Sequence, residues 1–399
     1  LVRFGCVSFG GPAGQIAQLH RDLVHERRWI SEAEFQQALN VCMLLPGPEA
    51  LQLVIYLGTR WLGTFGGVWA GLCFLIPGTL LMLLLAWVYV TYGEIAPIAA
   101  ALRGLQAVVI ALVAQAVWRL ASRRLVSASR QLIACAALLA LTALHLAFPW
   151  IILLAAAVGF LCYRDARVTP RAADLAPAPR FPWVPILAGL AAWCLPLLVL
   201  RVIGGREFSD RLYMFFTKVA ILGFGGAYAL LTWVNDALVA QLAWLTPPDL
   251  VAGVALAETT PGPLTLVLPF YGFVAGFRHA SVDGAVMMGI VHALLAGWAT
   301  FLPSFVMVIA GARYFERWSR LPSLAAALEG VTAAVVGVMA SFGLSIGFLL
   351  LWMPQQHRPD VMLCGLTVLS LWALTRTRIN LLWVLATAAM VSGVATFLR

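Results

Sequence analysis

Two helix-breaking motifs each occur twice in this chain, in one register. Phe9-Gly10-Gly11 returns as Phe224-Gly225-Gly226, and Pro46-Gly47-Pro48 as Pro261-Gly262-Pro263, both 215 residues on. Pro-Gly-Pro removes two backbone donors within three residues and adds a flexible joint, so it must break or sharply bend a helix. Phe-Gly-Gly, followed by Pro12 and the helical pattern Ala13-Gly14-Gln15-Ile16-Ala17, reads as a tight joint that opens a new helix. A helix start presents unpaired N–H groups and a partial positive charge, and the chemistry this suits is anion binding. Small residues also let membrane helices pack closely. Two different breakers duplicated in register favour a site at the repeat interface.

The charged and polar residues around the breaks complete the candidate site. Lys218 is the sole lysine among 26 basic residues; it and Arg3 stand at equivalent positions, each six residues before its Phe-Gly-Gly. They read as counter-charge for an anion or as side chains snorkelling toward headgroups. Glu49 follows the first Pro-Gly-Pro and Glu258 precedes the second by three residues, each able to carry a proton or to pair with an arginine. Gln15, Asn40, Gln52, Tyr56, Thr259, Thr260 and Tyr271 could finish an oxyanion's hydrogen bonds or act as helix glue. Arg103 and Glu329, equivalent at an offset of 226, are expected to pair with each other.

The elements that must position these residues lie in a membrane. Of 399 residues, 62% are hydrophobic and 11% charged, and stretches long enough to cross a hydrocarbon core of roughly 30 Å recur throughout. The fold class is all-α and polytopic, with about thirteen crossings near 1–17, 36–59, 61–92, 95–118, 131–147, 149–163, 183–203, 212–231, 250–276, 282–312, 323–352, 361–374 and 379–398. The domains read as an N-terminal repeat (1–163), a polar linker (164–182), a connecting helix (183–203) and a C-terminal repeat (204–399). An odd number of crossings between equivalent points makes the halves inverted, with discontinuous helices. The arginine bias of most corresponding loops swaps as inversion requires. Loop 18–34 disagrees, since it puts Arg21, Arg27 and Arg28 on the outer side.

Several classes are excluded. The net charge of +9 is dispersed between apolar spans and marks no nucleic-acid surface. The seven cysteines stand far apart and read as small hydrophobes. His20 and His25 are five apart and would not share an α-helical face as zinc ligands do, so no metal or cofactor is expected. The chain opens on Leu1 inside an apolar run, which reads as the loss of its native start.

The segments Ser8 to Ile16, Arg27-Arg28-Trp29-Ile30 and Asn40 to Ala50 resemble the N-terminal signature of the chromate ion transporters, and with the repeat the similarity covers nearly the whole chain. The resemblance implies a bacterial inner-membrane carrier that expels chromate under the proton gradient. The second copy has Ala227 in place of Pro12 and Leu264 in place of Glu49, so equal roles for the halves are in doubt. The reading is a secondary transporter of a divalent tetrahedral oxyanion, its partners being the oxyanion (chromate, with sulfate as the rival), protons, the lipid bilayer and a second copy in a homodimer. A membrane-embedded enzyme or a scaffold subunit is the alternative from another class.

Overall fold

A computed structural model describes residues 5, 8, 11–43, 45–163, 181–202, 207–223, 227–280, 284–318, 322–353, 358–377 and 379–397. The first half comprises α1 (Gly11–His20), a π-helical turn (Arg21–Glu26) and α2 (Glu32–Cys42), then a long run (Glu49–Tyr92), α5 (Ala96–Arg124), α6 (Ala128–Thr142) and α7 (Phe148–Tyr163). The long run is two helices, α3 (49–61) and α4 (64–92), because Leu62 and Gly63 leave helical geometry. Then follow α8 (Trp183–Val202) and α9 (Glu207–Leu222). The second half repeats the series as α10 (Ala227–Asp236), a second π-helical turn (Ala237–Gln241), α11 (Pro247–Thr259), α12 (Val267–His279), α13 (Ala285–Trp318), α14 (Pro322–Leu351), α15 (Val361–Arg376) and α16 (Leu381–Phe397). One two-residue β ladder, Trp352–Met353 with Arg358–Pro359, interrupts an otherwise helical set of described residues. His145, at positive φ, sits between α6 and α7, which are separate helices as Pro149 suggests.

The repeat extends to local chemistry. Ser31 and Glu34 form a capping box at the start of α2, and Thr246 and Asp249 form the equivalent one on α11, each stabilising its helix start by about 1 kcal/mol. Hydrogen bonds from Ser31 hold the Glu34 carboxyl below its usual range. Arg27 donates to the Asp22 carbonyl and Leu242 to that of Ala237, the same i→i+5 bond in each half. Arg28 and Ala243, again equivalent, both adopt positive φ.

The Pro-Gly-Pro segments are hairpin tips. The Tyr271 hydroxyl donates to the Leu250 carbonyl at 2.9 Å, and Gly253 packs on Phe270 and Tyr271; α11 and α12 therefore run side by side on either side of Pro261-Gly262-Pro263. Arg60 reaches Glu34 at 2.7 Å and Trp61 meets Trp29, closing α2 on α3 in the same way. At ~1.5 Å per residue these arms are about 16–21 Å long, short of the roughly 30 Å core. The stretches 36–59 and 250–276 are thus helical hairpins that reverse at Pro-Gly-Pro, where each was expected to be one broken span. Phe215 on α9 meets Trp233 on α10 across the second Phe-Gly-Gly, so the expected span 212–231 also doubles back at Gly223. Five helical runs among the described residues are long and apolar enough to cross a membrane, and four more are shorter and apolar.

The halves interlock. Helix α5 packs against α15 and α16 of the other half, and α14 packs against α6 and α7. Two equivalent glycines permit these crossings: a Cβ on Gly104 would lie 2.2 Å from the Ala388 carbonyl oxygen, and one on Gly330 would lie 2.1 Å from that of Ala155. The expected Arg103–Glu329 pair is replaced by two exchanged ones. Arg103 faces Asp360 at 3.8 Å and Arg130 holds Glu329 at 2.9 Å. Each long helix carries its charge to the start of a neighbour's short helix, not to its own counterpart.

Candidate functional site

The hairpin tips meet at the repeat interface through two equivalent backbone bonds. The Gly47 N–H donates to the Gly223 carbonyl and the Gly262 N–H to that of Ser8, both at 3.1 Å. Gly47 and Gly262 have φ of 120° and 106°, a region costly for any residue with a Cβ. Side chains lock the tips further. Gln52 donates to the Pro46 carbonyl at 2.7 Å, and Gln15 of one half donates to the Gly262 carbonyl of the other. Among the described residues the Gln15 Oε1 atom is buried without a hydrogen-bond partner. Gly78 on α4 brings its backbone against the Pro261 carbonyl.

Beside this junction lies a cavity of about 370 Å³. The starts of α1 (Gly11, Gln15), α3 (Pro48, Glu49) and α10 (Ala227, Tyr228) and the segment after the second break (Pro263, Leu264) contribute to its wall. Three helix N-termini thus bring positive partial charge to one space. Glu258 answers them: its carboxylate accepts from the Tyr228 hydroxyl and lies 3.7 Å from where a Gly11 Cβ would stand. A carboxylate of the second half therefore sits over a helix start of the first. The fourth wall is α5, with Gln115, Arg119 and Arg123 at i, i+4, i+8 on one helical face. Both arginines are exposed.

Of the expected residues, Gly11, Gln15, Pro48, Glu49, Glu258 and Pro263 line the cavity, while Pro46, Gly47, Pro261, Gly262 and Gln52 build the junction beside it. The others lie elsewhere. Thr259 and Thr260 donate to the carbonyls of Leu256 and Ala257, and Tyr271 is committed to Leu250. Tyr56 is buried along α3 and Asn40 is exposed on α2. Lys218 is exposed on α9 and is absent from the cavity lining. Gly10, Gly225, Gly226 and Arg3 lie outside the described residues. Tyr228, Gln115, Arg119 and Arg123 were not among the expected site residues. The spacing of four in the last three was visible in the sequence, but the arginines read there as loop charges.

Apolar helices, helical hairpins and a cavity between two interlocked halves define a polytopic all-α membrane protein. The sequence profile of a family described as "Chromate transporter" matches residues 1–160 and 211–394. The chain is 36% identical to a "Chromate transport protein" of Pseudomonas aeruginosa, over 85% of this chain and 78% of that one. It is 30% identical to a "Probable chromate transport protein" of Synechococcus elongatus, over 87% and 82% of the two chains, and 30% identical to a "Chromate transport protein" of Cupriavidus metallidurans, over 85% and 79%. No solved structure matches the chain. The chain belongs to the chromate transporter family.

Proposed function

We propose that this protein is a secondary transporter that exports a tetrahedral dianion, chromate foremost, across a bacterial inner membrane, and that the anion binds in the cavity between the hairpin tips. The observation that carries the reading is the convergence of three helix N-termini from both halves, with Arg119 and Arg123, on a space already holding two carboxylates. Such a space offers N–H and guanidinium donors in low dielectric, which suits a compact oxyanion. The names of the relatives favour chromate; sulfate has the same charge and shape and is the rival substrate.

The halves are inverted in this reading. If each hairpin enters and leaves on one side, α4, α5, α6, α7 and α8 separate equivalent points, an odd number. Loop 18–34 then falls on the same side as Arg119, Arg123, Arg124 and Arg130, the linker arginines and Arg317. Loop 18–34 then no longer disagrees, while Arg201, Arg206, Arg211, Arg278 and Arg358 fall on the opposite side.

Protons enter through competition. Glu258 and Glu49 occupy the helix starts that an oxyanion would take, and two ionised carboxylates repel a dianion. Protonation of the carboxylates favours anion binding, so anion and proton leave together, and outward flow is driven by the anion's own gradient and not by the inward proton gradient.

Purified protein in liposomes, loaded with radiolabelled chromate or sulfate, tests the reading. Chromate release that is saturable and weakly competed by sulfate supports it. Equal handling of both anions would move the substrate to oxyanions in general, and no flux of either would refute transport.

A further inference from the structure

The π-helical turn after α1 changes which residues share a face. In an α-helix, residues five apart point about 140° away from each other. The i→i+5 hydrogen bonding of a π-helix brings such residues close to one line. His20 ends α1 and His25 lies within the turn Arg21–Glu26, and their rings stand 4.9 Å apart in an edge-on arrangement. The chain then returns at the start of α2, where Glu32 sets a carboxylate oxygen 2.6 Å from His20 Nε2. One ligand atom from each of the three residues lies within 4.8 Å of the other two. The sequence-based expectation that His20 and His25 could not act together rested on α-helical spacing, and the π turn overturns it.

We propose that His20, His25 and Glu32 form a binding site for a divalent transition-metal ion of the zinc class. Two imidazole nitrogens and one carboxylate oxygen are the donors that borderline ions such as Zn²⁺ take, with water in the fourth tetrahedral position. Closing the three atoms to metal-bond distances needs only side-chain rotation of accessible groups, since His25 and Glu32 are exposed and His20 is half-buried. Supporting contacts exist around the ligands. Gln36 donates to the other Glu32 oxygen at 3.0 Å, and Phe35 packs edge-on against the His20 ring, so two of the three ligands are oriented by neighbours.

The site is a property of one half. The second π turn preserves the backbone, with Leu242 donating to Ala237 and Trp244 to Leu238 as Arg27 does to Asp22 and Trp29 to Leu23. Its equivalents of His20, His25 and Glu32 are Asn235, Ala240 and Pro247, and Ala240 and Pro247 offer no side-chain ligand. The π turn therefore serves the fold in both halves, and the histidines are an addition. A bound ion would pin the end of α1 to the start of α2, the arm that leads to Pro46-Gly47-Pro48. It lies away from the cavity, so binding is separable from the proposed transport.

Equilibrium dialysis of the full chain, prepared without a polyhistidine tag, against Zn²⁺ near neutral pH tests the site. One ion per chain is expected, with affinity reduced at least tenfold in His25→Ala and in Glu32→Gln. Because both residues are exposed, the variants should elute as wild type does in detergent. Co²⁺ should give the intense visible bands of a tetrahedral site with the wild type and lose them with His20→Ala/His25→Ala. No stoichiometric Zn²⁺ binding, or undiminished binding by the double variant, would overturn the assignment.

Discussion

Replacing Glu258 by Gln removes one negative charge from the cavity while keeping an acceptor for the Tyr228 hydroxyl. A dianion centred about 5 Å from an ionised Glu258 is repelled by about 7 kcal/mol at an effective dielectric of about 20. Three charge-assisted hydrogen bonds, from donors such as Arg119, Arg123 and a helix-start N–H, return about 5–9 kcal/mol together. One ionised carboxylate is thus enough to cancel the donors, and binding must take up a proton wherever Glu258 is charged in the empty protein. Linkage then requires the apparent chromate Kd to rise with pH, by up to tenfold per unit for each carboxylate that must be protonated. The measurement is chromate binding to purified protein in detergent between about pH 7.5 and 9, where the substrate stays a dianion and the linkage slope reports the protein. Glu258→Gln should bind more tightly at the upper end of the range and lose up to one unit from the slope of log Kd against pH. A slope unchanged by Glu258→Gln would refute the competition between carboxylate and substrate at this position.

Other consequences are independent of that step. Arg119→Gln should weaken chromate binding by about tenfold or more, the loss expected for one charged hydrogen bond, while Lys218→Gln should leave binding unchanged because Lys218 is outside the lining; equilibrium binding of both variants checks this. Gly262→Ala forces a Cβ into positive φ and against Leu266, at about 1–3 kcal/mol of strain, and should lower the thermal midpoint in detergent and slow transport. Gly330→Val should prevent the close crossing of α14 and α7 and yield aggregated protein by size-exclusion chromatography. Single cysteines at Arg28 and Arg123, on a cysteine-free background, should label from the same face of the membrane; labelling from opposite faces would restore a full crossing in 36–59.

The repeat was legible because its markers are sparse and physically strong. Glycine and proline breakers stand out in an apolar chain, and their common offset carried over to capping boxes, positive-φ residues and hairpin tips. The reversal at the tips was harder to read. An apolar run of about 25 residues satisfies the length rule for a crossing whether the break in its middle bends the chain or reverses it. Arm length held the clue, since neither arm beside Pro46-Gly47-Pro48 reaches across the core alone. Glu49, Glu258, Gln15 and Gly11 were found because they adjoin the breaks. Arg119 and Arg123 were missed because α5 reaches the cavity only through packing between halves. Arg103 and Glu329 were paired by sequence equivalence, whereas the interlocked packing gives each a partner at the start of a short helix. The closeness of His20 and His25 depends on a π turn, which no residue pattern announces.

The position of bound substrate tests the central claim most directly. Chromium scatters anomalously, so a chromate-soaked crystal locates the ion without interpretation of the surrounding density. A chromium peak is expected in the cavity between Arg119, Gln15 and the start of α1 at Gly11, and it should vanish in Arg119→Gln soaked at the same concentration. A peak elsewhere in the membrane region, with this cavity empty at saturating chromate, would contradict the assignment of the site.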